Sequence, residues 1–240
     1  MTATFTAVGV GPGDPELLTL RGARVLREAD VVMTPVGDRS DASLALSIVE
    51  QHLDPARQQI LTRTFPMRQS SDVQQNAWRD IAAEVAALVR AGKKVAFVTL
   101  GDPFLYSTFL YLYRELQRDY PEVPVANVPG ISSIQAAASL ARLPLGLGDE
   151  TLTVVPATAS DEEIETALQR SGTVVLLKVY RAFARLRALL QRVGLEQQAV
   201  YVRRVGLEGE LLVHNLGEVS EDDLDYLSLI LVRPAEAAHG

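Results

Sequence analysis

The chain has 240 residues, of which 48% are hydrophobic and 22% charged, and its formal net charge is −7. That length accommodates one large α/β domain or two small ones. The acidic balance disfavours general nucleic-acid binding, because phosphates would have to meet local basic patches. The sequence contains no cysteine, which excludes disulfides, thiolate metal sites and cysteine nucleophiles and suits a cytoplasmic enzyme.

Metal and membrane signals are also missing from the sequence. The three histidines, His52, His214 and His239, lack the spacing of a metal-binding pair, so no metal site is expected. No apolar run reaches the length of a membrane span. The first residues, MTATFTAVGV, lack the pattern of a signal peptide, and export is therefore not expected.

In the first half of the chain, short β-branched runs alternate with longer helical patterns. Strands are predicted for TFTAVGV, DVVMT and KVAFVTL. Helices are predicted for PELLTLRGARVLREA, DASLALSIVEQHL, DVQQNAWRDIAAEVAALVRAG and FLYSTFLYLYRELQRDY, whereas LTRTFPMRQS is interpreted as a loop. This alternation predicts an α/β domain over residues 1–120 with a mostly parallel sheet.

The proline-rich stretch DYPEVPVANVPG marks the passage to a second domain over residues 121–240. There the helices are ISSIQAAASLARL, DEEIETALQR and AFARLRALLQRV, and the first two strands are TLTVVPA and TVVLLKV. Three strand-like runs then follow without a helix between them: QAVYVRRV, GELLVHNL and YLSLILVRP. Such a succession indicates a sheet that is partly antiparallel, and hence mixed.

The stretch AVGVGPGDPELLTL places Gly9, Gly11 and Gly13 at the end of the first strand. A dinucleotide-binding loop has the spacing G-x-G-x-x-G and uses main-chain N–H groups to hold phosphates. Here Pro12 has no N–H group and Asp14 would repel a phosphate. The glycines therefore indicate tight backbone approach to something other than phosphate, or a plain strand-to-helix turn in which Asp14 caps the helix.

A second motif, TLGDPFLYST, follows the most apolar strand, at the carboxyl end where open α/β sheets bind ligands. Gly101 permits close backbone approach and Asp102 supplies a carboxylate. Three hydroxyl groups follow, on Tyr106, Ser107 and Thr108. The alternative is structural, with Asp102 as a helix cap and Tyr106 as a core aromatic residue.

A third motif, NVPGISSIQAAA, forms another turn at a strand end, at Pro129 and Gly130. The turn opens a helix that begins with the small residues Ser132 and Ser133, against which a flat ligand can lie. The alternative is a routine serine cap on an alanine-rich helix.

Taken together and in this order, the three motifs resemble those of the tetrapyrrole methylases, a family of S-adenosylmethionine-dependent methyltransferases. The resembling segments run from Gly9 to Thr19, from Gly101 to Tyr106 and from Pro129 to Ser133. Within that family, VGVGPGDPELLTL, GDPFLYSTFLYLY, LLKVYR and YLSLILV are most similar to the precorrin-2 C-20 methyltransferases and their cobalt-factor II counterparts.

The resemblance implies two α/β domains with an active-site cleft between them, assembled as a homodimer. It also implies that S-adenosylmethionine binds largely to backbone groups and leaves as S-adenosylhomocysteine. The cofactor-binding residues expected on this basis are Pro12, Gly101, Asp102, Phe104, Tyr106, Ser107, Thr108, Ser132, Ser133, Leu177 and Val205.

The implied reaction is methylation of precorrin-2 at C-20, giving precorrin-3A in cobalamin biosynthesis. Alternatives within the family are the cobalt-factor II reaction of the anaerobic branch and methylases of the uroporphyrinogen-III or precorrin-4 type. Two further alternatives belong to other classes: an NAD-dependent oxidoreductase, which the glycine spacing and Pro12 disfavour, and a non-catalytic cofactor-binding module.

A substrate with several carboxylates requires local cations on an acidic protein. The candidates are Arg39, Arg63, Arg68, Arg181 and Arg204, each of which is otherwise an ordinary surface cation. For proton handling or orientation the candidates are Asp102, Lys178 and Glu208. The aromatic helix FLYSTFLYLYREL is apolar on more than one face, which fits burial against a partner chain or within its own domain.

Overall fold

The computed structural model describes residues 3–37, 43–65, 71–169 and 172–234. It divides into two compact units, Met1–Ser132 and Ser133–Gly240. The first unit contains β1 (Thr4–Gly9), α1 (Leu20–Glu28), β2 (Val31–Val36), α2 (Leu44–Val49), β3 (Gln59–Thr64), α3 (Ser71–Arg90), β4 (Lys94–Thr99), α4 (Phe109–Asp119) and β5 (Val125–Val128). The second contains α5 (Ser133–Ala141), β6 (Thr151–Pro156), α6 (Asp161–Leu168), β7 (Gly172–Leu177), α7 (Phe183–Arg192), β8 (Ala199–Arg203), β9 (Leu211–Val213) and β10 (Ser228–Val232).

The first unit is built on a five-stranded parallel sheet with the order β3-β2-β4-β1-β5. Helices α1 and α2 cover one face, where Leu26 and Ile48 pack with Val8 and Val98. Helices α3 and α4 cover the other face around an aromatic cluster of Phe5, Phe97 and Phe109. Both faces are therefore buried, which explains why its central strands read as nearly continuous apolar runs.

The second unit contains a mixed five-stranded sheet with the order β6-β7-β10-β8-β9. β6 and β7 are parallel, while β10 runs antiparallel to both β7 and β8, and β9 antiparallel to β8. Helix α5 packs on one face, and α6 and α7 pack on the other. The predicted fold class, an α/β protein with a parallel first sheet and a mixed second sheet, is confirmed.

The stretch LTRTFPMRQS was interpreted as a loop, and for its first four residues, 61–64, that interpretation is wrong, because they belong to strand β3. It pairs in parallel with β2 along its whole length, from Val31 opposite Gln59 to Val36 opposite Thr64. As an edge strand it leaves Gln59, Thr62 and Thr64 exposed and buries none of its residues fully, so it lacks the apolar run that marks β1 and β4.

Several boundaries also differ from the sequence-based expectation. The predicted helix PELLTLRGARVLREA begins with a separate 3-10 turn at Pro15–Leu17, and α1 starts only at Leu20. Helix α4 begins at Phe109 and not at Phe104, because Tyr106 adopts a left-handed backbone conformation (φ 53°) that a helix cannot contain. The first unit extends to Ser132, whereas the sequence places the boundary after residue 120. The extension arises because β5 pairs with β1, from Phe5 opposite Val125 to Val8 opposite Val128.

Across the described ranges, none of the helices combines the length and the apolar character that crossing a bilayer requires.

Helix α6 begins with a reciprocal capping arrangement between Ser160 and Glu163. The Glu163 carboxylate accepts hydrogen bonds from the Ser160 amide and hydroxyl, both at 2.9 Å, and the Glu163 amide donates to the Ser160 hydroxyl at 3.2 Å. The bonds from the Ser160 amide and then its hydroxyl lower the pKa of Glu163. The ionised carboxylate therefore stabilises the fold above its ordinary pKa, and this contribution is lost as the pH falls through the lowered value.

We expect Glu163→Gln to lower the thermal unfolding midpoint at pH 7 more than Glu162→Gln, which removes the same charge from the same helical turn. The difference between the two variants should shrink as the pH falls below 4.5, the ordinary pKa of a glutamate. Calorimetric unfolding from pH 7 to pH 3 measures both effects. A difference that stays constant with pH would contradict the capping explanation.

Candidate active site

The carboxyl ends of β1 and β4 form the topological switch point of the parallel sheet. These two strands are neighbours, with Gly9 opposite Thr99. β1 continues to α1 on one face of the sheet, whereas β4 continues to α4 on the other face. In open α/β sheets the point where successive connections leave to opposite faces is where ligands bind.

Three glycine-bearing bends meet at this point. An added Cβ atom at Gly9 would lie 2.5 Å from the Gly101 carbonyl oxygen and 2.6 Å from the Gly130 nitrogen, and Gly130 is just as tightly enclosed by Gly101 and Gly9. The Gly101 amide also donates to the Gly11 carbonyl at 2.7 Å, and Gly11 adopts a φ of +86°. The predicted tight backbone approach is thus an approach of the three bends to one another.

Pro12 and Asp14 have separate roles in the first bend. Pro12 is buried beside Gly11. Asp14 caps a short 3-10 turn that has Pro15 at its first position, and its Oδ1 accepts from the Glu16 amide at 2.8 Å. Both interpretations of this stretch, tight backbone approach and a capped turn, therefore apply: Gly9 and Gly11 permit close packing, and Asp14 acts as a cap.

The Asp102 carboxylate joins the bend after β4 to the bend after β5. Its Oδ1 accepts from the Phe104 amide at 2.8 Å, within its own turn. Its Oδ2 accepts from the Gly130 amide at 3.0 Å, in the other turn. Gly101, directly before it, has a φ of +67°, which a glycine adopts at little steric cost.

The segment between Asp102 and α4 has a buried side and an exposed side. The Ser107 hydroxyl bonds the Thr99 hydroxyl at 2.8 Å and accepts from the Phe109 amide at 3.1 Å. Phe104 and Tyr106 are 51% and 49% exposed, although the Phe104 ring also contacts Phe109 edge-on. The hydroxyl of Ser107 therefore holds this segment in place, while two aromatic rings face outward.

A second group of predicted residues lies at one edge of the mixed sheet. β7 and β8 flank β10 and both run antiparallel to it, so their carboxyl ends lie at the same edge. Lys178 and Arg204 directly follow these ends, with φ of 60° and 51°. A left-handed conformation costs a non-glycine residue roughly 1–2 kcal/mol, and such strain is concentrated at functional sites.

The loop after β8 is organised by Arg204. Its Nε donates to the Glu208 carbonyl at 2.7 Å, and its guanidinium lies 3.4 Å from the Asp225 carboxylate. Val205 is buried, and the Glu208 side chain is exposed. In the same unit, Arg181 is exposed and Leu177 ends β7, while Ser133 begins α5.

Of the three remaining predicted cations, Arg63 lies within the described residues. Arg63 lies in β3, where its Nε donates to Glu84 at 2.7 Å and its NH1 group donates to the Thr62 carbonyl at 2.8 Å. The hydrogen bond to Glu84 raises the pKa of Arg63. Arg39 and Arg68 lie outside the described residues. Within the ranges that the structure describes, no group of three His, Cys, Asp or Glu residues is placed to hold a metal ion.

Residues 4–220 match the family of Tetrapyrrole (Corrin/Porphyrin) Methylases. The chain therefore belongs to this family of methyltransferases. It is 40% identical to the cobalt-precorrin-2 C(20)-methyltransferase of Salmonella typhimurium, with 97% of each chain covered. It is 34% identical to the precorrin-2 C(20)-methyltransferase of Sinorhizobium sp, with 94% of this chain and 93% of that one covered.

Solved structures show the same fold. One is a uroporphyrin-III C-methyl transferase from Thermus thermophilus complexed with S-adenosylhomocysteine, at 26% identity and a TM-score of 0.66, with 96% of this chain and 97% of that one covered. The expected family is confirmed. Family membership also argues against the nicotinamide-dependent alternative, which the glycine spacing and Pro12 already disfavoured.

The sequence-based site omitted Gly9 and Gly130, whose missing side chains let the bends meet. The signal for Gly9 was the alternation of glycines, which a capped turn does not require. The signal for Gly130 was its place after a strand in a Pro-Gly turn. Neither signal reveals that these two residues contact each other, because they are remote in the chain.

We expect Gly9→Ala to abolish binding of S-adenosylhomocysteine and to destabilise the protein by about 1–3 kcal/mol or more, because the new methyl group would overlap main-chain atoms. Calorimetric titration and denaturant unfolding measure the two effects. Gly146→Ala is the matched control, since its Cβ would meet its nearest neighbour at 3.7 Å. Wild-type stability and affinity in Gly9→Ala would show that the bends do not need their close contact.

Proposed function

We propose that this protein transfers a methyl group from S-adenosylmethionine to C-20 of a precorrin-2-type tetrapyrrole in cobalamin biosynthesis. The observation that carries the proposal is similarity over nearly the full length to two enzymes named for that reaction, at 40% and 34% identity. The similarity extends over both units, so it is not limited to the motifs of the first one. A non-catalytic module is the alternative that the assay below tests.

The identity is higher to the relative named for cobalt-precorrin-2 than to the one named for precorrin-2. This difference favours a macrocycle that already carries cobalt, with the metal-free precorrin-2 as the second candidate. In either case the cobalt belongs to the substrate.

The first unit fits a cofactor that is bound by main-chain atoms. S-adenosylmethionine supplies a methyl group on a positively charged sulfur. Gly9 is buried beneath Gly101 and Gly130, whereas at Gly101 an added Cβ atom would meet only the Ser132 Cα atom, at 3.9 Å. Cofactor contacts in this unit are assigned to the predicted residues Pro12, Gly101, Asp102, Phe104, Tyr106, Ser107, Thr108 and Ser132. Ser133, Leu177 and Val205 are retained as predicted contacts.

The substrate's carboxylates require cations, and the second unit offers Arg181 and Arg204 near one sheet edge. Arg204 is already fixed by Glu208 and Asp225, so its guanidinium loses little further freedom on binding an anion. Arg39, Arg63 and Arg68 remain predicted cations of the same kind. We propose Lys178 for proton handling, with Glu208 as a further candidate, because Lys178 is held in a strained conformation at a strand end.

We also propose that the protein is a cytoplasmic homodimer without affinity for nucleic acid. The net charge of −7 and the absence of cysteine support the location and the lack of nucleic-acid binding. Support for the dimer comes from Leu105 and Tyr111, two exposed apolar side chains on and beside α4. Analytical ultracentrifugation tests the dimer directly.

Incubation with methyl-labelled S-adenosylmethionine should place label in the tetrapyrrole ring. Cobalt-precorrin-2 and precorrin-2 are compared as substrates in parallel reactions, and the position of the label is read by NMR. We expect turnover with the cobalt complex to exceed that with the metal-free ring. Tight binding of S-adenosylhomocysteine without label in either ring would favour the non-catalytic module.

We expect Lys178→Met to reduce kcat about 10²-fold or more, the range for loss of a proton-transfer group, while affinity for S-adenosylhomocysteine stays unchanged. Lys93→Met, at an exposed position between α3 and β4, serves as a control for loss of one positive charge. A Lys178→Met enzyme with wild-type kcat would remove Lys178 from the mechanism.

A further inference from the structure

The Asp102 side chain links two turns that follow strands which are not neighbours in the sheet. β1 lies between β4 and β5 in the sheet, so β4 and β5 do not pair with each other. The turns that follow β4 and β5 nevertheless meet across the end of β1, above Gly9. A side chain at Gly9 would keep these two turns apart.

The Asp102 carboxylate spans this meeting point. One oxygen accepts from the Phe104 amide at 2.8 Å and closes the turn after β4, while the other accepts from the Gly130 amide at 3.0 Å in the turn after β5. Both bonds join a charged acceptor to a main-chain donor, which is among the stronger classes of hydrogen bond in proteins.

We infer that Asp102 is a positioning residue, whose carboxylate fixes the turn after β5 against the turn after β4 and so preorganises the main-chain surface that binds the cofactor. This inference rests on the proposed function for the identity of the ligand. It assigns Asp102 the orienting role and not the acceptance of the substrate proton. Protonation of either oxygen would weaken one of the two bonds that hold the site.

Aspartate is the residue that suits this geometry. Asparagine has the same shape but only one oxygen, and its amide group would face a second N–H donor. Glutamate keeps the charge but adds a methylene group, which shifts the carboxylate relative to both amides. Asp102→Asn therefore keeps one bond and loses the other without creating a cavity.

The matched control is Asp30→Asn. Asp30 lies before β2, at the amino ends of the parallel strands, and its Oδ2 accepts from the Lys94 amide at 2.8 Å. It is a second carboxylate that links two chain segments of the same unit through a main-chain amide, but it lies at the edge opposite the three bends. Asp30→Asn removes one negative charge from the same unit, as Asp102→Asn does, but its remaining side-chain oxygen can still accept the single bond from Lys94. It therefore controls for the loss of charge, and loss of cofactor binding should appear only in Asp102→Asn.

We expect Asp102→Asn to raise the Kd for S-adenosylhomocysteine and the KM for S-adenosylmethionine about tenfold or more, with the shape of the pH profile of kcat unchanged. Asp30→Asn should keep both binding constants. Loss of one limb of the pH profile with unchanged affinity would overturn the inference, since that result identifies a proton-transfer group. Wild-type affinity and wild-type pH profile together in Asp102→Asn would overturn it as well.

A measurement on the wild-type protein covers the case in which Asp102→Asn does not fold. Hydrogen exchange followed by NMR should show the Gly130 and Phe104 amides protected without any added ligand. Fast exchange at Gly130 would contradict the bond to Asp102. This readout also separates the two proposals, because a protein that fails to bind S-adenosylhomocysteine but protects Gly130 would refute the proposed function and leave the link between the turns intact.

Discussion

The close contact of three backbone bends over Gly9 is the constraint on which the site in the first unit depends. Parallel pairing of β1 with β4 on one side and β5 on the other brings the ends of three strands to one edge. The turns that leave these ends can touch only because Gly9 and Gly130 lack side chains. The order of the strands, the positions of the glycines and the carboxylate of Asp102 therefore all determine how the same three bends pack together.

This arrangement also explains why the loop differs from a phosphate-binding loop. Such a loop holds an anion with main-chain N–H groups that point at the ligand. Here the Gly101 amide donates to Gly11 and the Gly130 amide donates to Asp102, so the bends use these donors to bind one another. Pro12 contributes no N–H group. A ligand at this edge meets a surface whose donors are partly consumed, which suits a cationic sulfonium better than a pyrophosphate.

The sequence predicted the elements whose signals are local and missed what depends on distant pairing. The strands β1 and β4, the capped turn at Asp14 and the mixed second sheet follow from apolar runs, turn chemistry and the succession of strands. Strand β3 was missed because an exposed edge strand has no apolar run, and the ion pair of Arg63 with Glu84 joins β3 to α3, a contact that spacing does not reveal. The link from Asp102 to Gly130 was hidden for the same reason.

Lys178 and Arg204 adopt backbone conformations that glycine would adopt at little steric cost. Each therefore lowers the stability of the folded state through backbone strain and not through poor packing of its side chain. A chain selected for thermal robustness alone would place glycine at the ends of β7 and β8. The second unit instead has two long basic side chains there. Under the proposed function these side chains serve chemistry at the expense of stability, which would make the two positions poor targets for stabilising mutagenesis.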